Sequence, residues 1–99
     1  MTDLEISKAL ALAIGWTETA LYVNHYGVLQ IDVSNASEKY PMWAIFDYRD
    51  WNVIGPIAKE HDAFPYQTRD GAWTVGWTTG PAYITPQKAI ALAVIGAKK

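Results

Sequence analysis

The residue types best suited to chemistry lie close together in residues 46–62, which read FDYRDWNVIGPIAKEHD. Carboxylates and imidazole rings bind divalent metal ions, and a bound metal can activate water for hydrolysis. The side chains of this kind are Asp47, Asp50, Glu60, His61 and Asp62. A metal-dependent phosphohydrolase needs further histidines on other helices, and the only other histidine is His25. Metal-dependent hydrolysis therefore ranks last among the functions considered.

A structural interpretation explains the same stretch without a metal ion. Asp50 can cap the start of a helix, and Glu60 and His61 would lie at the solvated end of that helix. Arg49 would pair with an acidic neighbour. Because Pro56 has no N–H group and its ring clashes in mid-helix, the sequence predicts that the helix begins or restarts at Pro56. We prefer this interpretation and predict no metal site.

Other catalytic arrangements are missing from the sequence. There is no cysteine, which excludes disulfide bonds, thiolate zinc sites and cysteine nucleophiles. No G-x-S-x-G motif accompanies Ser7, Ser34 or Ser37. Neither a phosphate-binding P-loop nor a dinucleotide-binding fingerprint is present. We therefore predict a protein that is not an enzyme and that needs no cofactor.

Length and charge limit the remaining classes. A chain of 99 residues is typical of one domain, so we predict a single domain over residues 1–99. The formal net charge of −2 disfavours direct binding to duplex nucleic acid. The longest apolar run, residues 89–97, is about half of the ~20 residues that cross a bilayer, so we expect no membrane anchor. Asp3 and Glu5 argue against a signal peptide, and the lack of cysteine suits the cytoplasm.

The periodicity of apolar residues predicts an α+β domain with a mainly antiparallel sheet, in the order α–β–β–β–α–β–β–α. The first helix covers residues 3–14 after a T-x-x-E capping box, and the last covers residues 86–98 after Thr85. The expected strands cover residues 20–25, 28–33 and 42–48, with a second hairpin in residues 64–79. The two hairpins turn at Tyr26-Gly27 and Asp70-Gly71.

The five tryptophans and six tyrosines can either fill a core or form a recognition surface, because both uses need large, rigid rings. We assign Trp16, Trp51 and Trp73 to packing between helix and sheet. Aromatic residues nearer turns or on less apolar strand faces form the predicted recognition surface. They are Tyr22, Tyr26, Tyr40, Trp77 and Tyr83. Arg49 and Arg69 join this surface as cations that could face the phosphate of a ligand.

Four segments form a pattern along nearly the whole chain. They are Gly15-Trp16 at the end of the first helix, DWNVIGPIAKE (residues 50–60), DGAWTV (residues 70–75) and ITPQKAIALAVI (residues 84–95). This pattern resembles that of the small phage and prophage proteins grouped as the phage ABA sandwich domain, which includes NinX-like proteins. The resemblance implies a helix–sheet–helix sandwich and a phage accessory role, and the family has no established catalytic residues to carry over. Residues 18–41 depart from the family pattern, so a specific function could reside there.

Our leading hypothesis is a non-catalytic phage accessory protein in the host cytoplasm. It would bind a host protein or protein complex, as an inhibitor of a defence system such as a CRISPR effector. The alternative is a protein that binds or sequesters a small, nucleotide-like ligand between aromatic rings. A homodimer is compatible with both, because the last helix is apolar on nearly all sides and would need either deep burial or a second copy to cover it.

Overall fold

The computed structural model describes residues 2–34, 42–76 and 82–98. It divides into two compact units, which we call the N-terminal unit (Met1–Asp47) and the C-terminal unit (Tyr48–Lys99). The described elements are three α-helices, one short 3-10 helix and five strands, and every strand pairing is antiparallel. This confirms the predicted α+β class and the predicted order of elements. The strands form two separate sheets, of three and two strands, rather than the single sheet expected.

The N-terminal unit begins with helix α1 (Asp3–Ala13), whose ends follow the predicted signals. The Glu5 N–H donates to the Thr2 hydroxyl at 3.1 Å, and the Thr2 N–H donates to the Glu5 carboxylate at 3.1 Å, which completes the capping box. At the other end, Gly15 has a φ of +112°. The Gly15 N–H donates to the Leu12 carbonyl and the Trp16 N–H to the Ala11 carbonyl, a Schellman motif.

A three-stranded sheet follows the short 3-10 helix Glu18–Ala20. Its strands are β1 (Leu21–Val23), β2 (Leu29–Asp32) and β3 (Trp43–Ile45), with β2 in the centre. Each strand is shorter than predicted. The turn between β1 and β2 falls where expected, with Gly27 at a φ of +77°. Helix α1 packs against β2, and the buried side chains of this unit include Ile6, Leu10, Leu29, Ile31 and Phe46.

Helix α2 (Trp51–Glu60) opens the C-terminal unit and corrects one prediction. The helix begins five residues before Pro56, because the Asp50 carboxylate accepts from the Asn52 N–H at 2.9 Å and caps it at Trp51. Pro56 therefore lies inside the helix. A proline disfavours helical backbone at the preceding residue because the proline ring clashes with the N–H and the Cβ of that residue, and Gly55 has no Cβ. Gly55 therefore reduces the local cost of Pro56 inside the helix.

The rest of the C-terminal unit is a hairpin and the last helix. Strands β4 (Pro65–Gln67) and β5 (Trp73–Val75) turn at Asp70-Gly71 as predicted, with Gly71 at a φ of +86°. Helix α3 (Pro86–Ala97) begins after Thr85, whose hydroxyl accepts from the Lys88 N–H at 3.2 Å. It contacts α2, β4 and β5. Its buried residues are Ala89, Ile90, Ala91, Ala93, Val94 and Ile95. A single chain therefore covers most of this apolar helix without a second copy, and a homodimer stays a prediction.

Candidate binding surface

The strand register places two aromatic rings on one face of the three-stranded sheet. Tyr22 lies opposite Gln30, and Gln30 lies opposite Ile45, while Asp32 lies opposite Trp43. Directly opposite residues in an antiparallel pair point to the same side, and so do residues two apart in one strand. All five side chains therefore share one side of the sheet, which we call the Tyr22–Trp43 face.

The apolar members of this face are accessible to solvent. Tyr22 is 52% exposed, Trp43 is 41% exposed and Ile45 is 62% exposed. The Tyr22 and Trp43 rings contact each other across β2, with centroids 5.7 Å apart and planes inclined by 51°. The opposite side of β2 carries Leu29 and Ile31, which are buried. The sheet thus has one face in the core of the unit and one aromatic face at the surface.

Asp32 supplies the charge on the Tyr22–Trp43 face and also holds the ends of two strands. Its carboxylate accepts from the Ser34 hydroxyl at 2.6 Å, the Ser34 N–H at 2.9 Å and the Met42 N–H at 3.3 Å. These hydrogen bonds, led by those from Ser34, lower the pKa of Asp32 because they stabilise the ionised form. Asp32 is therefore a fixed negative charge beside the two rings.

The turn between β1 and β2 presents a further exposed aromatic residue. Tyr26 is 79% exposed, and its ring lies 4.0 Å from that of His25 between centroids. The Asn24 side chain accepts from the N–H groups of Tyr26 and Val28 at 2.9 and 3.1 Å, which fixes the turn. Tyr26 is thus presented by an ordered turn directly after β1.

Three of the other predicted recognition residues, Tyr83, Arg49 and Arg69, lie in the C-terminal unit. Tyr83 is half-buried and bridges to Trp73 of β5 through two backbone hydrogen bonds, of 2.6 and 2.7 Å. Arg49 and Arg69 are exposed in the C-terminal unit, and Arg69 lies in the turn between β4 and β5. Tyr40 and Trp77 lie outside the described residues. The recognition surface as a whole stays a prediction, in which Tyr22 and Tyr26 belong to the N-terminal unit.

Sequence reasoning missed Trp43 and Ile45. Both lie in the segment MWAIFDY, where apolar residues occupy both alternating sets, so the sequence does not indicate which set faces solvent. Pairing β3 with β2 decides it, since Trp43 and Ile45 then fall opposite the polar residues Asp32 and Gln30. The signal in the sequence is the alternation of apolar and polar residues in LQID, which matches the alternating burial along β2.

The assignment of three tryptophans to packing is wrong for Trp51. This residue is the first of α2 and is 51% exposed, because a side chain in the first turn can project beyond the helix. Trp16 and Trp73 are half-buried, in the range expected for packing residues that keep part of the ring at the surface. Trp51 therefore leaves the list of packing residues.

Three residues of the stretch that suggested a metal site have structural roles. Asp50 caps α2, as the structural interpretation predicts. His61 and Asp62 end the helix: Asp62 has a φ of +53°, and the Ala63 N–H donates to the Ala58 carbonyl at 2.8 Å, the long bond of a Schellman motif. Within residues 2–34, 42–76 and 82–98, no group of three or more His, Cys, Asp or Glu side chains could hold a metal ion.

Among the described residues, no helix combines the length and the apolar character needed to cross a membrane. Comparisons with protein-family models, with curated proteins and with solved structures give no match. The resemblance to phage ABA sandwich and NinX-like proteins therefore remains a prediction from the motifs.

Proposed function

We propose that this chain is a non-catalytic binding protein that contacts another protein through its Tyr22–Trp43 face. The observation that carries the proposal is the contacting pair of half-exposed rings, flanked by exposed Ile45. Tyr and Trp are enriched in protein interfaces because they bury a large area and lose little side-chain entropy. Gln30 lies on the central strand between Tyr22 and Ile45 and adds a polar group for specificity.

The positions of the reactive side chains support binding rather than catalysis. Asp50 caps one end of α2 and Asp62 lies in the Schellman motif at the other. The Ser34 hydroxyl donates to the Asp32 carboxylate, which itself accepts backbone hydrogen bonds at the end of β2. Each of these groups has a structural role of its own.

The biological part of the proposal is an accessory role in a phage, with a host defence complex as the partner and the host cytoplasm as the place of action. It rests on the resemblance of the four motif segments to small phage proteins. Residues 18–41, which depart from that pattern, contain strands β1 and β2 and thus Tyr22 and Gln30. A contact specific to one partner is expected in the segment that differs from the family pattern.

Binding of a small nucleotide-like ligand remains the alternative hypothesis. Its predicted contacts are aromatic rings on either side of the ligand and Arg49 or Arg69, which would face the phosphate. A small molecule that stays on the purified protein through native mass spectrometry would support it. That result, without any protein complex, would also count against the protein-binding proposal.

Native mass spectrometry with bacterial host lysate tests the proposed function. The wild-type protein is compared with Trp43→Ala and with the matched control Trp51→Ala, which removes a similarly exposed tryptophan from the C-terminal unit. We expect a discrete complex with wild type and Trp51→Ala that is lost with Trp43→Ala. A complex that forms equally with all three proteins would overturn the assignment to this face.

A further inference from the structure

The two units of the chain carry opposite charge. Residues 1–47 contain six acidic side chains and two lysines, a formal charge of −4. Residues 48–99 contain four acidic side chains and six lysines and arginines, a formal charge of +2. The Tyr22–Trp43 face therefore belongs to an acidic unit, although the chain as a whole is close to neutral. The net negative charge of this unit favours cationic groups of a partner.

The N-terminal unit has little positive charge with which to neutralise itself. Lys8 is its only lysine or arginine among the described residues, and its ammonium group lies 3.8 Å from the Glu18 carboxylate. Asp32 on the face is ionised and fixed by three hydrogen bonds. These bonds occupy part of the four acceptor positions of a carboxylate, which leaves Asp32 able to attract a further cation.

The aromatic members of the face suit the same kind of partner. A guanidinium or ammonium group binds the face of a Trp or Tyr ring within about 6 Å of its centroid. The centroids of Tyr22 and Trp43 are only 5.7 Å apart, so a single position can lie within this distance of both rings. Ile45 is exposed beside them and can contact the aliphatic stem of an arginine or lysine. The two rings and the Asp32 carboxylate thus suit the cationic group of a long basic side chain, and Ile45 suits its aliphatic stem.

We infer that the Tyr22–Trp43 face binds an arginine- or lysine-rich segment of a partner protein. A basic side chain stacks on Tyr22 and Trp43, its stem contacts Ile45, and its charge is attracted by Asp32 and by the acidic N-terminal unit. This inference rests on the proposed function, since it names the chemical class of the segment that the same face recognises.

Fluorescence anisotropy with a labelled peptide of alternating arginine and serine tests the inference. The matched peptide carries citrulline, which is neutral and has nearly the same shape, in place of arginine. We expect binding of the arginine peptide that weakens with added salt and is at least about tenfold tighter than that of the citrulline peptide. Equal binding of both peptides, or no binding of either, would overturn the inference.

Two pairs of variants separate stacking from general charge attraction. Trp43→Ala leaves the net charge unchanged and should weaken arginine-peptide binding by about tenfold, the effect of truncating a central tryptophan, whereas Trp51→Ala should not. Asp32→Asn should weaken binding more than Glu18→Gln, which removes the same charge elsewhere in the unit. Circular dichroism checks the fold of each variant. If Trp43→Ala weakens binding no more than Trp51→Ala, and Asp32→Asn no more than Glu18→Gln, then net charge alone explains the binding. That result would overturn the assignment to this face.

The outcomes distinguish this inference from the proposed function. If the arginine peptide fails to bind but the lysate complex is lost with Trp43→Ala, the face binds a protein, and the inference that it recognises a basic segment is wrong. If Trp43→Ala changes neither the peptide affinity nor the lysate complex, both are overturned.

Discussion

At the scale of single residues, acidic side chains hold turns and helix ends. The Asp50 carboxylate accepts from the N–H of Asn52, and the Asp32 carboxylate accepts from those of Ser34 and Met42. The pKa of Asp70 is lowered in the same way, first by the Thr68 hydroxyl, in the turn between β4 and β5. Local hydrogen bonds with backbone N–H and hydroxyl groups therefore explain why these aspartates lie in turns and at helix ends of the described structure.

Glu5 gives a pH-dependent test of the capping box. Hydrogen bonds from the Thr2 backbone and hydroxyl lower the pKa of Glu5 from its ordinary value of 4.5, so the ionised form stabilises the fold. This contribution is fully present above the unfolded pKa and is lost as the pH falls through the folded pKa. Glu5→Gln should therefore be less stable than wild type at about pH 7, and the difference should shrink towards about pH 3. Urea unfolding across this range measures it, and a constant difference would contradict the role of Glu5.

Replacing Asp62 tests whether this residue ends helix α2 or binds a metal ion. Its φ of +53° is costly for a residue with a Cβ, so Asp62→Gly should raise the free energy of unfolding by about 1 kcal/mol. Gly15 occupies the equivalent position after α1, and Gly15→Ala should lower stability by about 1 kcal/mol. Thermal unfolding measures both. The metal hypothesis would be restored if Asp62→Gly lowered stability and if removing divalent metal ions lowered the stability of the wild type in the same way.

At the scale of elements, α2 is the clearest departure from the sequence prediction. The Pro56 nitrogen cannot donate to the Asn52 carbonyl, yet the helix continues to Glu60. Buried Ile54, Ile57 and Ala58 lie on both sides of the proline and anchor the helix. Packing of this face therefore outweighs the local cost of Pro56.

Replacing Pro56 tests this balance. Pro56→Ala supplies the missing N–H donor and should stabilise the protein by about 1 kcal/mol, after the greater freedom of the unfolded chain is included. Pro86→Ala is the matched control, because Pro86 lies in the first turn of α3 where no intrahelical N–H bond is needed. It should be neutral or slightly destabilising. If both variants lose stability equally in urea unfolding, Pro56 imposes no cost on α2.

Local signals predicted most of the elements, and long-range pairing decided the rest. Thr2, Gly15 and the Thr85-Pro86 step marked helix ends correctly because a cap depends only on neighbouring residues. The division into two sheets and the exposed side of β3 depend on which strands pair, and MWAIFDY is apolar on both sides. Tyr22 was therefore expected at a surface, while its partner Trp43 was not.

At the scale of the whole molecule, two compact units differ in charge and in the kind of core. The N-terminal unit is acidic and packs α1 on a sheet, whereas the C-terminal unit is basic and contains the apolar helix α3. The sequence predicts one domain over residues 1–99. A single domain would unfold cooperatively as a whole.

Core truncations in each unit test that prediction. Leu10→Ala and Ile90→Ala each remove a fully buried side chain and should cost about 3 kcal/mol. If the chain is one domain, both variants shift the same unfolding transition, followed by far-UV circular dichroism and by tryptophan fluorescence. Two transitions, each shifted by only one variant, would show that the units unfold independently.

The central claim, that the Tyr22–Trp43 face is the protein-binding surface, is tested most directly by oxidative footprinting of the aromatic side chains. The protein is labelled alone and in the complex isolated from host lysate. We predict that Tyr22 and Trp43 lose reactivity in the complex, while Trp51 and Tyr66, which are similarly exposed in the free protein, keep theirs. Unchanged labelling of Tyr22 and Trp43, or the failure of any complex to form, would contradict the account.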